Sequence, residues 1–251
     1  MPLNGKRIVL TGGNGGIGAL LASLLRMQGA HVLIIDRTAG DNTRVTNLAD
    51  TDELDALCET LRLHQVDILI NLAGLMYFGH FPEQPAAHLS TMLIVNLEVP
   101  IRLAQAVIPG MLERGEGQIV NIGSVFGALA FPHFVTYSAT KAGLKGFSEA
   151  LRREYAGKGI SVTHVSPRAV KTPLNNAAVE ELHRRTKVIN DSPEHVAQII
   201  VDAIVHKRKH VAIGQPESFF MRLNAVLPGL VDRALVSKRD IADEIIEFYK
   251  V

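Results

Sequence analysis

The chain has 251 residues, 47% hydrophobic and 20% charged, with 26 basic residues against 25 acidic ones for a formal net charge of +1. That is enough apolar chain to bury a core, and the balanced charge gives no reason to expect nucleic acid as a partner. The single cysteine, Cys58, excludes an intrachain disulfide and reads as a small packing residue in a reducing, cytoplasmic setting.

In chain order, the first seven residues lack the long apolar stretch of a signal peptide. The β-branched run Ile8-Val-Leu10 predicts a strand, and Thr11-Gly-Gly-Asn-Gly-Gly-Ile-Gly18 turns it into a helix over Ala19 to Met27. His31 to Ile35 predicts a second strand that ends at Asp36. Arg44-Val-Thr46 is a candidate for one more. A helix from Asp52 to Leu63 leads to a strand at Val66 to Ile70. Helical sequence follows around Pro100 to Leu112, then a strand at Gln118 to Ile122 and a helix at Tyr137 to Tyr155. Ser161 to Val165 and His210 to Ile213 complete the strands.

Short strands separated by helix-length segments are the pattern of repeated βαβ units. The fold class expected is α/β, a doubly wound, Rossmann-like parallel sheet of about seven strands with helices on both faces. No repeat or linker interrupts the chain, so residues 1–251 are expected to form one domain. No segment approaches the roughly 20 apolar residues of a membrane span. The basic run His206-Lys-Arg-Lys-His210 reads as a solvated helix end.

Gly12, Gly16 and Gly18 lie where a strand turns into a helix, which suits close backbone approach to a pyrophosphate at a helix N-terminus. Asp36 ends the next strand, where a carboxylate accepts hydrogen bonds from a ribose diol and repels a 2′-phosphate. Arg37 pulls the other way, because a guanidinium can hold that phosphate. No basic residue lies inside the glycine loop. NAD(H) is therefore favoured over NADP(H), and no metal is expected.

Tyr137 and Lys141 stand four apart and share a helix face. The ammonium there can stabilise a phenolate, making a base from a phenol that titrates near ~10. Bringing that phenol toward neutrality requires about 4 kcal/mol of differential stabilisation. Ser124, after Asn121-Ile-Gly, offers a hydroxyl donor beside the pair. Each residue alone has a structural reading: core tyrosine, solvated lysine, strand-end cap. Together with a glycine loop they suit moving a proton on an alcohol or carbonyl oxygen.

The set Thr11-Gly-x3-Gly-Ile-Gly18, Asn71-Leu-Ala-Gly74, Asn96, Ser124, Tyr137-x3-Lys141 and Pro167 to Thr172 resembles the short-chain dehydrogenase/reductase family over roughly residues 5 to 215. The resemblance implies that Tyr137 is the general acid in carbonyl reduction and the base in alcohol oxidation. Lys141 would lower its pKa and hold the nicotinamide ribose, and Ser124 would hydrogen-bond the substrate oxygen. Asn96 would hold a water that relays protons from Lys141. Asn14 and Ile17, within the glycine loop, count among the cofactor contacts. Asn47, Leu48, Asn71, Ala73 and Gly74 would line the adenosine side. Pro167, Val170 and Thr172 would seat the nicotinamide amide. A small-molecule alcohol or ketone is the implied substrate, and a homodimer or homotetramer through the two long helices is the implied assembly.

The chain departs from the family pattern at Leu72, Asn47, Gly123 and, most of all, Arg168, where glycine is usual. Arg168 either swings outward or meets an acidic or polar substrate group. Residues 173–192 are expected to form a flap over the substrate, and residues 215–251 a helical extension. In that extension Phe219, Phe220, Leu223, Val226, Leu227, Leu230, Val231, Ala234 and Leu235 recur at helical spacing, and Pro228-Gly229 should break the run. The stripe fits core packing, a subunit contact, the border of a lipophilic substrate cleft, or, least of all, a membrane surface. The leading reading is an alcohol dehydrogenase or carbonyl reductase. A non-catalytic dinucleotide sensor or scaffold is the alternative, and a peripheral membrane protein acting through its tail is a third.

Overall fold

A computed structural model describes residues 1–249; the last two residues of the expected extension lie outside the described residues. Seven strands form one parallel sheet: β1 (Arg7–Thr11), β2 (His31–Asp36), β3 (Thr43–Val45), β4 (Ile68–Asn71), β5 (Gly117–Ile122), β6 (Ile160–Ser166) and β7 (His210–Ala212). Their order is β3-β2-β1-β4-β5-β6-β7. The chain runs outward from β1 in one direction, then jumps back to β4 and runs outward in the other. The crevice between β1 and β4 is thus the topological switch point, where ligands of open α/β sheets bind.

The helices are α1 (Gly16–Met27), α2 (Thr51–Leu63), α3 (Ala86–Leu93), α4 (Val99–Arg114), α5 (Val135–Glu154), α6 (Ala177–Arg185), α7 (Pro193–Val205), α8 (Glu217–Val226) and α9 (Pro228–Tyr249). Their starts follow local chemistry. The Asp50 carboxylate accepts from Asp52 N and Glu53 N at 3.0 Å and caps α2. Ser192 caps α7 ahead of Pro193. Gly115, at φ 68°, closes α4 in the left-handed conformation.

Strand alternation sends Leu10, Ile70 and Val120 to one face, against Leu21 and Leu25 of α1 and Val196 and Ile200 of α7. Val9, Leu69 and Ile119 face the other way, against Leu57, Leu103 and Leu151 of α2, α4 and α5. Cys58 is buried in this second layer as the packing residue expected. Both faces of the sheet are covered, which is why its central strands are apolar without interruption.

Two expectations need correction. The continuous helical run Ala86–Arg114 is 29 residues long and, by length and mean hydropathy, apolar enough to cross a membrane. More than half of its apolar window is buried within the protein, with Leu103, Val107 and Met111 packed in the core layer. Several helices and strands also start one to three residues from their expected positions, most clearly α1, whose first turn is made by the glycines themselves.

The extension does break where Pro228-Gly229 predicts, between α8 and α9. Its apolar stripe divides. Met221, Leu223, Val231 and Leu235 pack against Val125 and Leu129, whereas Phe219, Val226, Leu227 and Leu230 are exposed.

Candidate active site

The strand ends at the switch point bring the expected residues together. The turn after β1 holds Gly12 at φ 71°, and a Cβ there would stand 2.8 Å from Ala73 Cα. At Gly18 a Cβ would overlap the Gly12 carbonyl, so only glycine lets α1 begin this close to the strand. A Cβ at Gly16 would meet Thr172 Cγ2 at 3.2 Å. The N-cap Gly15 has no side chain to satisfy the first N–H groups of α1, which stay directed at the groove. Bare backbone, a helix N-terminus and an acid after β2 fit the pyrophosphate and ribose of a dinucleotide.

A groove of about 550 Å³ runs over this turn, lined by Gly12, Asn14, Gly16, Ile17 and Gly18, by Asp36 and Arg37, by Asn47 and Leu48, and by Ala73 and Gly74. Asp36 Oδ2 accepts from Asn14 N at 3.0 Å, while Oδ1 accepts from Thr38 N and Oγ1. The carboxylate is therefore fixed before any ligand arrives, with acceptor capacity to spare. Asn14 Nδ2 donates to Thr38 O at 2.7 Å and ties the glycine loop to the loop after β2. Asn47 caps its own turn, its Oδ1 accepting from Ala49 N. Arg37 is exposed at the groove's edge.

Asn71 does not line the groove. Its Nδ2 donates to Asn121 Oδ1 at 2.8 Å within the sheet. Asn121 in turn donates to Ser148 Oγ at 2.9 Å, and Ser148 Oγ lies 3.2 Å from His164 Nδ1. This buried polar chain joins β4, β5, α5 and β6 beneath the site. Sequence reasoning missed Asn121, Ser148 and His164. The available signal was polar side chains set inside otherwise apolar strands, where burial demands partners.

A second cavity, about 210 Å³, opens beside the groove and shares Ile17, Leu72, Gly74, Thr172 and Leu174 with it. Ser124, Tyr137 and Lys141 line it, as do Pro167, Val170 and Arg168. Ser124 stands two residues past the end of β5 and accepts from Phe126 N at 3.2 Å. Lys141 Nζ donates to Ile122 O at 3.0 Å and stands 5.7 Å from the centre of the Tyr137 ring. Burial pulls the Lys141 ammonium down to about 8.

Among the protein's own groups, burial pushes the Tyr137 phenol up to about 12, and a hydrogen bond with Ser124 pulls it back only partly. The phenol is thus a proton donor at neutral pH.

Asn96 sits behind this wall rather than in it. It occupies a wide π turn, Ile94–Glu98, joining α3 to α4. Its Nδ2 donates to Leu75 O at 2.8 Å and Thr140 Oγ1 at 3.1 Å, and its Oδ1 accepts from Leu75 N at 2.8 Å. Both amide protons are engaged, so a water could bond only the remaining oxygen lone pair or the main-chain carbonyl. A Cβ on Gly74 would stand 3.4 Å from Asn96 Oδ1 and 3.6 Å from Lys141 Nζ, so the lysine reaches its place across a bare glycine. Thr11 Oγ1 accepts from Leu72 N and Ala73 N, both at 3.1 Å, holding that segment beside the glycine turn.

Arg168 neither swings outward nor stands free for a substrate. Its Nε and Nη2 form a two-pronged contact with Asp191, at 2.9 and 2.8 Å. Nη1 donates to Gln215 O at 2.8 Å and to Glu217 Oε2 at 3.3 Å. Asp191 closes the 173–192 segment, whose backbone is also stitched to Ala169 and Lys171. One side chain thus fastens that segment and the start of α8 to the loop after β6. Across the cavity, α6 contributes Val179, Leu182 and His183, and α9 contributes Leu235 and Lys238.

A doubly wound sheet with a glycine turn at its switch point and a proton donor at the neighbouring cavity defines a dinucleotide-binding oxidoreductase. A family model described as short chain dehydrogenase matches residues 6–183. The chain belongs to the short-chain dehydrogenase family of NAD(P)-dependent oxidoreductases. It is 30% identical over 231 residues to the ketoacyl reductase HetN of Nostoc sp., covering 85% of this chain and 80% of HetN. A short-chain dehydrogenase from Streptomyces avermitilis superposes with a TM-score of 0.77 at 29% identity, over 94% of this chain and 98% of that one. Another, from Sphingobium yanoikuyae in complex with NADPH, gives 0.76 at 25% identity, over 90% and 95%.

Proposed function

We propose that this protein interconverts a secondary alcohol and a carbonyl compound, with NAD(H) preferred over NADP(H) and a lipophilic substrate. The observation that carries the reading is the position of Ser124, Tyr137 and Lys141 in an apolar cavity that opens onto the glycine-turn groove. When bound, the nicotinamide supplies or accepts the hydride.

The chain's residues do the rest. Ser124 Oγ and the Tyr137 phenol are hydrogen-bonded neighbours lining one cavity, so a carbonyl oxygen placed between them would accept from both. In reduction Tyr137 gives that oxygen its proton, a role suited to a phenol held neutral. Lys141, fixed by Ile122 O, offsets the phenolate that forms. Asn96 is a positioning residue: it clamps Leu75 beside Gly74 and orients the turn of α5 that carries Lys141. Pro167, Val170 and Thr172 form the wall against which the nicotinamide end rests. Asp36 supports the NAD(H) preference, because its fixed carboxylate repels a 2′-phosphate.

The lining of the cavity supports the lipophilic substrate. Met76, Phe126, Phe131, Phe134, Val179 and Leu182 surround the catalytic hydroxyls. The buried lone Cys58 suits a cytoplasmic setting, and exposed Ile101, Leu112 and Val135 on α4 and α5 suit a homodimer or homotetramer. Light scattering in solution checks the assembly: a 27 kDa mass would end that part of the reading.

The activity test is oxidation of NADH and NADPH against ketones and aldehydes graded in chain length. The expected result is turnover that rises with chain length, faster with NADH, and an NADH preference that narrows in Asp36→Ala. Tight NADH binding with no turnover across the panel would favour the sensor reading instead.

A further inference from the structure

Three segments remote in sequence meet beside the cavity's outer wall. His80 lies in the loop after β4, His133 in the loop before α5, and Asp243 on α9. The two loops are tied by Gly79 N donating to His133 O at 3.2 Å. The imidazoles stand edge to face, centroids 5.2 Å apart. One nitrogen from each ring and a carboxylate oxygen of Asp243 all lie within 4.8 Å of one another. His133 Nε2 is 3.1 Å from Asp243 Oδ1, yet this buried nitrogen makes no hydrogen bond. His80 Nδ1 is 3.8 Å from the same oxygen. On its far side, His80 Nε2 is 3.4 Å from Glu247 Oε1, one turn further along α9.

We propose that His80, His133 and Asp243 bind a divalent transition-metal ion of the zinc class, with Glu247 holding the outer N–H of His80. Donors around a tetrahedral ion with bonds of about 2.0–2.1 Å stand roughly 3.3–3.4 Å apart. The 3.1 and 3.8 Å separations bracket that value. The longer one exceeds a hydrogen bond, and at the shorter one the buried Nε2 makes none, so its ring nitrogen keeps its capacity for a ligand. A carboxylate behind a ligating imidazole is the usual outer support of such a site. Two imidazoles and one carboxylate suit zinc better than magnesium or calcium, and they leave a fourth position for water.

The ion would act on structure. The His80 and His133 loops adjoin the segments that carry Met76, Phe131 and Phe134 of the cavity wall, and α9 carries Leu235 and Lys238. One ion would strap α9 to both. Residues 80, 133 and 243 form no ligand spacing in the sequence, and only the fold brings them together.

The test is titration of the chelator-treated full chain with Co²⁺ alone, then with Zn²⁺. We expect one equivalent of Co²⁺ to give the visible absorption of a four-coordinate site. Zn²⁺ should displace it and raise the melting temperature. His80→Ala and Asp243→Asn should each abolish the band. His133→Asn should do the same, and asparagine tolerates the left-handed backbone that His133 adopts at φ 65°. Glu247→Gln should weaken Zn²⁺ binding about 10- to 100-fold. Absence of a stoichiometric Co²⁺ band in the parent overturns the proposal without recourse to any variant. So does a band that survives in both His80→Ala and Asp243→Asn, which would place the ion at other imidazoles.

Discussion

The floor and the cover of the cavity are built on different principles. The floor comes from strand ends and the first turns of α1 and α5, where near neighbours in sequence do the work. Tyr137 and Lys141 share a helix face, Gly18 packs on the carbonyl of nearby Gly12, and Ser124 caps the turn that follows its own strand. The cover comes from α6, α8 and α9, held by contacts between residues far apart, such as Arg168 with Asp191 and Glu217. The floor fixes the chemistry, and the cover decides what reaches it. Local geometry leaves a motif in the sequence; a long-range clasp leaves none.

The strongest way to break the comparison is at the floor. Tyr137→Phe removes the proton donor and one buried hydroxyl while keeping the ring. Turnover should fall by about 10²- to 10⁴-fold, with cofactor binding and melting temperature little changed. Steady-state kinetics beside a NADH titration decides it; a tenfold loss or less would remove Tyr137 from the reaction.

Arg168→Met tests the cover. It leaves Asp191 and Glu217, both part-buried, without their shared cation, a loss of about 1–3 kcal/mol. Chemical denaturation should show that loss, and substrate KM should rise more than kcat falls. Arg168→Met with Asp191→Asn should recover part of the stability, since the stranded charge is gone. Additive losses in the double mutant would dissolve the clasp.

The smallest effect lies beneath both regions. Burial holds His164 down to about 3, so the unfolded chain binds a proton there below about 6.5 and the folded chain does not. Stability should therefore fall as pH drops from about 6.5 toward 3. His133, His183 and His210, also lowered by burial, add to the same slope. His164→Gln keeps a partner for Ser148 and removes one titrating group. The melting temperature of this variant should decline less steeply between pH 6.5 and 5 than that of the parent. Parallel curves would assign the acid sensitivity elsewhere.

Asp36 and Arg168 show where sequence reading succeeds and stops. Asp36 is legible because a strand end is fixed by the apolar run before it, so its carboxylate must emerge at the groove. The bond from Asn14 that fixes it was not legible, since Asn14 faces it across a turn. Arg168 could be located but not aimed, because its partners lie in segments whose placement depends on how the cover packs. Asn71 and Asn96 fit the family pattern in sequence, yet both line neither cavity and instead tie elements together.

By itself the sequence determined the doubly wound sheet, the glycine turn and the alignment of Tyr137 with Lys141. Strand period, helix period and glycine backbone freedom are properties of neighbouring residues. Only the tertiary structure decided the partners of Arg168, the meeting of His80, His133 and Asp243, and the upward push on the Tyr137 phenol. Distances between remote side chains and their exclusion from water exist only once the chain has packed.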